Sequence, residues 1–175
     1  MVVAGDIDLV LSGGVSNTDP AASLGGAKST QAGAVVADDV ANEVFHDIAS
    51  DDASAGITLY SGLYYENTNV SDDYLDPVIY FSSQTSSGDT SAEMAIADED
   101  VDTTIETIAN EETAPSGPSF SAPGSVGAGL AIGATGDGDL AATEYRGWWL
   151  KYIVSSSASA ATDTMTVAIQ GDTGP

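Results

Sequence analysis

Ile57-Thr58-Leu59-Tyr60-Ser61-Gly62-Leu63-Tyr64-Tyr65-Glu66-Asn67 is the stretch that decides the fold class. It is rich in aromatic and β-branched residues, the types that fit a pleated and largely buried surface, so it reads as a central strand. A glycine, Gly56, closes the segment before it. On its C-terminal side an acidic turn around Asn69 to Pro77 separates it from Val78–Ser83, which reads as the next strand, and Ala92–Ala97 reads as its successor. With Ser86–Asp89 as the turn, these two are expected to form a hairpin.

Further on, Leu130 and Ile132 precede a tight Gly136-Asp137-Gly138-Asp139 turn, and Glu144–Val154 carries Tyr145, Trp148, Trp149, Tyr152 and Val154, a strand with both faces engaged. Met165, Val167 and Ile169 alternate with Thr164, Thr166 and Gln170, marking a last strand before Gly171. Toward the N-terminus, Ile7, Leu9 and Leu11 alternate with Asp6, Asp8 and Ser12, giving a first strand near residues 5 to 12. Val40, Val44 and Ile48 recur every four residues behind Asp38-Asp39, which predicts one short helix over Asp38–Ile48. Two loops stand out. Gly13–Gly26 is bracketed by glycine pairs around an Asp-Pro step, and Glu111–Gly124 holds three prolines and two glycines, which favours an extended surface connection pinned by Phe120.

Strands separated by Gly/Pro-rich joins predict an all-β fold, a single-domain β-sandwich of the jelly-roll or immunoglobulin-like kind. It should have about seven or eight strands, one short helix and long ordered loops. The 175 residues suit one such domain spanning 1–175, with no internal repeat and no linker. Hydrophobic residues make up 42% and mean hydropathy is +0.03, enough apolar surface to offset the entropy of ordering the chain.

Charge excludes several function classes. There are 27 Asp and Glu against Lys28, Arg146 and Lys151, a formal net charge of -24. Such a surface repels nucleic acid and anionic lipid, so neither is an expected partner. In molar salt the Debye length is roughly 3 Å and mutual repulsion of the carboxylates nearly vanishes, so the composition reads as adapted to brine, with an acidic protein of an ordinary host as the alternative. With no cysteine, disulfides and thiolate metal sites are absent. His46 is the lone histidine, and any triad or general-base scheme has to run through it. The N-terminus shows no basic segment followed by an apolar run and no stretch approaches a membrane span, so synthesis in a host cytoplasm is expected.

Several segments, in order, resemble a family of small virion structural proteins encoded among the head and tail genes of tailed phages. They are Leu11-Ser12-Gly13-Gly14, Ser16-Asn17-Thr18-Asp19-Pro20, Ser23-Leu24-Gly25-Gly26, Phe45-His46-Asp47-Ile48 and Tyr64-Tyr65-Glu66-Asn67-Thr68. The resemblance continues in Asn110-Glu111-Glu112-Thr113-Ala114-Pro115, Phe120-Ser121-Ala122-Pro123, Gly129-Leu130, Gly147-Trp148-Trp149-Leu150-Lys151 and Gln170-Gly171-Asp172-Thr173. Where basic residues and a cysteine are expected in that family, this chain has Gly62-Leu63-Tyr64 and keeps only Arg146 and Lys151, which looks like a haloarchaeal-virus version. The resemblance implies a virion component and fits head and tail alike.

Candidate chemistry is sparse. Asp98-Glu99-Asp100 with Asp102 is the densest carboxylate run, a cation site in one reading and a solvated loop in the other. The turn at Asp137 and Asp139 is better shaped for a structural cation such as Ca²⁺ or Mg²⁺, although the same Asp-Gly chemistry favours a plain hairpin turn. No other cofactor is expected. The glycines at 13, 14, 25 and 26 lack dinucleotide or phosphate-loop spacing. Adjacent strand residues point to opposite faces, so one of Trp148 and Trp149 can fill the core while the other anchors an interface. The alternative buries both beneath a second sheet or loop.

These readings lead to a non-enzymatic protein located in a virion, on the capsid surface in preference to the tail. It is expected to assemble as a trimer or pentamer and to contact the major capsid protein through Asn17, Asp19, Pro20, Leu24, Pro115, Phe120, Trp148 and Trp149. The rivals are a tail or baseplate component and a carbohydrate-binding module for host attachment whose exposed aromatics stack on sugars.

Overall fold

The computed structural model of the protein describes residues 1–159 and 162–173. In chain order the elements are β1 (Ile7–Leu11), β2 (Gly25–Gly26), α1 (Ser50–Ala55), β3 (Ile57–Asn67), β4 (Tyr74–Ser83), β5 (Thr90–Ile96), β6 (Ile105–Thr107), β7 (Leu130–Ala131), β8 (Tyr145–Val154) and β9 (Thr166–Thr173), with short 3-10 turns between some of them. All pairing is antiparallel, in three sheets ordered β1-β3-β8-β5, β7-β4-β9 and β2-β6. The protein is all-β and sandwich-like, consistent with a single domain. None of its described helices is long and apolar enough to cross a membrane.

The deciding stretch is central, as its composition demands. β3 pairs with β1 through Leu63↔Leu11 and with β8 through Leu63↔Trp148, and β8 pairs with β5 through Leu150↔Met94. Period-2 alternation puts Leu11, Leu63, Tyr65, Trp148, Leu150 and Met94 on one face. These residues join Ile79 and Phe81 of β4 in one buried cluster, so the core lies between the four-stranded and three-stranded sheets. Tyr65 and Trp148 stack within it, ring centroids 5.6 Å apart.

The opposite face of the four-stranded sheet carries Gly62, Tyr64, Gly147 and Trp149, and the β2-β6 ribbon lies on it. The contact depends on bare backbone. A Cβ at Gly147 would sit 2.2 Å from Ile105 Cγ2, and one at Gly62 would sit 2.9 Å from the Gly25 nitrogen. Glycine inside a strand marks close approach of another backbone, here the ribbon. Tyr64 fastens it, donating its hydroxyl to the Gly26 carbonyl at 2.6 Å and accepting from the Ile105 N–H at 3.0 Å.

Two sequence expectations are corrected. Residues 38–48 are turns and irregular backbone, and the α-helix is Ser50–Ala55. Asp39 and Asn42 adopt φ of 59° and 64°, a left-handed conformation that cannot propagate a right-handed helix. The true helix has Asp51 and Asp52 in its first turn and stops at Gly56, whose N–H bonds the Asp52 carbonyl at 2.8 Å. Second, Val78–Ser83 and Ala92–Ala97 do not form a hairpin: β4 pairs with β7 and β9, β5 with β8. Residues between them cross from one sheet to the other, and each strand finds its partner far along the chain.

Candidate functional site

The two long loops singled out in the sequence are tied to the four-stranded sheet, and their structure is set by their own polar residues. Asn17 is the hub of residues 13–26. Its side-chain amide donates to the Ser12 carbonyl at 2.6 Å and the Asp19 carbonyl at 3.0 Å, while its Oδ1 accepts from the Asp19 N–H at 2.9 Å. Asp19 caps the following 3-10 turn by accepting from the Ala21 N–H, and Pro20 occupies the first position of that turn, where no N–H is needed. Leu24 is half-buried against the core, and its carbonyl accepts from the Ile108 N–H at 2.9 Å.

Both loops also finish a sheet edge. β1 covers β3 only as far as Leu63, and beyond it the Gly62 N–H donates to the Ser23 carbonyl at 2.8 Å and the Tyr60 N–H to the Glu111 carbonyl at 2.7 Å. The second loop performs the same service for β5 and β4. Ser121 exchanges both backbone hydrogen bonds with Met94, and the Pro123 carbonyl accepts from the Phe81 N–H at 2.8 Å. Phe120 lies edge-on to Tyr60 at 5.6 Å, with the Lys151 ammonium 5.6 Å from its ring centroid. Pro115 is buried.

Both tryptophans are 0% exposed. Trp148 stacks on Tyr65 in the sandwich core, and Trp149 lies under the ribbon, its ring against Gly25. The expectation of an outward tryptophan as an interface anchor is therefore corrected, because the ribbon covers the face that alternation alone would leave open. Of the residues expected to form a contact surface, Asn17, Asp19 and Pro20 gather in one loop, Leu24 and Phe120 are half-buried, and Pro115 and the two indoles lie inside.

The three side-chain cations are all internally engaged. Lys28 bonds Glu66 at 2.6 Å and lies over the Tyr145 ring, Lys151 bonds Glu93 at 2.7 Å, and Arg146 pairs with Asp100. What faces solvent is carboxylate. Asp100 also accepts from the Thr135 and Val101 N–H groups, and with the Arg146 charge these hold its carboxyl down at about 2.

At one end of the sandwich Asp163 is a second carboxylate hub. It accepts from the Ser86 N–H at 2.6 Å, the Ser86 hydroxyl at 2.8 Å, the Ser87 N–H at 3.0 Å, the Tyr152 hydroxyl at 3.0 Å and the Thr90 hydroxyl. Burial by itself would raise its pKa, but these donors outweigh it and bring the group down to about 2. Burial and the neighbouring carboxylate push the Tyr152 phenol up to about 12. Nothing in the sequence marked Asp163, since its donors come from segments more than sixty positions away apart from Tyr152.

At the turn expected as a cation site the carboxylates engage the backbone. Asp139 accepts from the Asp76 N–H at 3.0 Å and Asp137 from the Asp139 N–H at 3.3 Å, so both carboxylates brace backbone. Among the described residues no group of three or more His, Cys, Asp or Glu side chains converges as a metal cage. His46 is exposed, with Nδ1 3.2 Å from Glu111, whose pKa is raised by burial. No protein-family model, no curated protein and no solved structure matches the chain.

Proposed function

We propose that the protein is a non-enzymatic structural component of a virion from a tailed virus with a salt-loving archaeal host, in the role of a capsid decoration or turret-like protein that binds the major capsid protein as a closed homo-oligomer. The observation that carries this reading is the way residues 13–26 and 111–124 are tied onto a rigid sheet by backbone hydrogen bonds at Ser23, Glu111, Ser121 and Pro123. Loops ordered to this degree present a fixed shape, and a fixed shape lowers the entropic cost of docking. The ordered resemblance of these same loops to tailed-phage virion proteins supports it. So does the charge distribution, which leaves no unpaired side-chain cation among the described residues and suits a particle exposed to brine.

The resemblance also accommodates a tail or baseplate position. Imaging of purified particles with a labelled copy of this chain separates the two: density on facets or vertices supports the decoration role, density on the tail moves the protein there, and particles lacking the chain overturn both. The carbohydrate-binding reading rested on an outward indole, and the burial of Trp148 and Trp149 takes away that stacking platform.

A further inference from the structure

An open sheet edge exposes unpaired N–H and C=O groups, and soluble proteins cover or charge such edges. Here the long edges are covered, with one exception. β1 is lined by residues 29–36, through Ser29 N–H to the Leu11 carbonyl at 3.0 Å and Val36 N–H to the Leu9 carbonyl at 2.8 Å. The edge of β5 is occupied by Ser121 at Met94 and by the Gln84 side chain, which bonds both the N–H and the carbonyl of Ala92. β4 has β9 on one side and β7 with Pro123 on the other. β9 pairs with β4 alone, and among the described residues no backbone hydrogen bond reaches its other edge.

Two further observations concern the same strand. Val167 and Ile169 pack toward the core yet are only half-buried, whereas their register partners Phe81 and Ile79 are 2% and 0% exposed. The layer ends abruptly at β9, with apolar side chains still showing. The strand also carries a single charged residue, Asp172, in a chain with 27 acids. Two copies meeting along this strand bring together only Asp172 from each side, so little like-charge repulsion opposes the contact.

We infer that β9 is a homotypic interface, pairing antiparallel with β9 of a second copy about a two-fold axis to make a continuous six-stranded sheet from two three-stranded ones. A register centred on Ala168 sets Val167 against Ile169 of the second copy, extending the inner apolar layer, and Thr166 against Gln170. It also places the two Asp172 side chains at opposite ends of the ladder. The contact is isologous, so it joins rings of the kind proposed above and does not close them; it rests on the edge itself and not on the virion assignment.

The test uses the full chain in molar KCl. Sedimentation equilibrium is expected to show dimers, or assemblies with an even number of copies. Thr166→Asp with Gln170→Asp, both exposed in the single chain, encloses opposed carboxylates in the ladder, where lost hydration adds to a close-range repulsion that molar salt screens only in part, and is expected to halve the mass with an unchanged circular dichroism spectrum. Thr166→Lys with Gln170→Asp makes both cross-strand pairs attractive and is expected to restore it. Because the chain has no cysteine, Ala168→Cys gives a clean second readout: opposed antiparallel residues lie about 5 Å apart, within disulfide reach. Mild oxidation should link this variant into dimers and leave Thr166→Cys largely unlinked. A monomer at every concentration, an assembly whose mass the double aspartate variant leaves unchanged, or an Ala168→Cys variant that fails to cross-link overturns the interface.

Discussion

Gly25 lies flat on Trp149. A Cβ built on Gly25 would stand 2.9 Å from the far edge of the indole and 1.8 Å from the Glu106 carbonyl oxygen, and φ here is +83°. The ribbon thus touches the four-stranded sheet through backbone alone at this point, and the burial of Trp149 depends on that approach.

Gly25→Ala is expected to lower stability by about 3 kcal/mol, because both the left-handed backbone and the close contact with Glu106 must relax. Denaturant unfolding in molar KCl measures it. A loss below about 1 kcal/mol would mean the ribbon lifts from the sheet at little cost.

Trp148→Ala and Trp149→Ala should each cost about 3–5 kcal/mol, the range for truncating a large buried aromatic. Thermal unfolding is the measurement. If either variant kept the parent melting temperature, that indole would have to lie at the surface after all.

Asp163 and Asp100 contribute to the acid limb of the stability curve. Each is held near about 2 in the folded protein, below the ordinary value of 3.8. A folded pKa below the unfolded one means the unfolded chain takes up protons first as pH falls. The stabilisation is therefore complete above about pH 4 and fades between about pH 4 and pH 2. Asp163→Asn should be less stable at neutral pH and show a shallower decline across that window. An acid titration of unfolding at fixed molar KCl checks this, and an unchanged slope would remove Asp163 from the account.

A formal net charge of -24 on 175 residues predicts that stability rises with salt. The unfolding midpoint should climb steadily from dilute to molar KCl, and the strand signal in circular dichroism should weaken in dilute buffer. Indifference to salt over that range would argue against adaptation to brine.

The all-β class and the central place of Ile57–Asn67 were legible because apolar alternation and aromatic density are local signals. Pairing is not local. Val78–Ser83 and Ala92–Ala97 lie next to each other in sequence, and nothing in either strand says that its partner is β9 or β8. The helix was misplaced for a different reason: the spacing of Val40, Val44 and Ile48 mimics a helical stripe, while the deciding facts are Asp39 and Asn42 in the left-handed region. The better signal was two acids ahead of a stopping glycine at Asp51, Asp52 and Gly56. For the contact loops, Asn17, Asp19 and Pro20 were readable as turn chemistry, whereas burial of Trp149 follows from a two-residue ribbon strand too short to announce itself.

The sequestering of the cations has a practical corollary. Lys28, Arg146 and Lys151 have side chains only 13%, 8% and 22% exposed, so trypsin meets no free cleavage point on the folded molecule and cutting reports its opening as a whole. Neither lysine amine is readily open to amine-directed cross-linkers, and reagents that activate carboxylates are the ones suited to this surface.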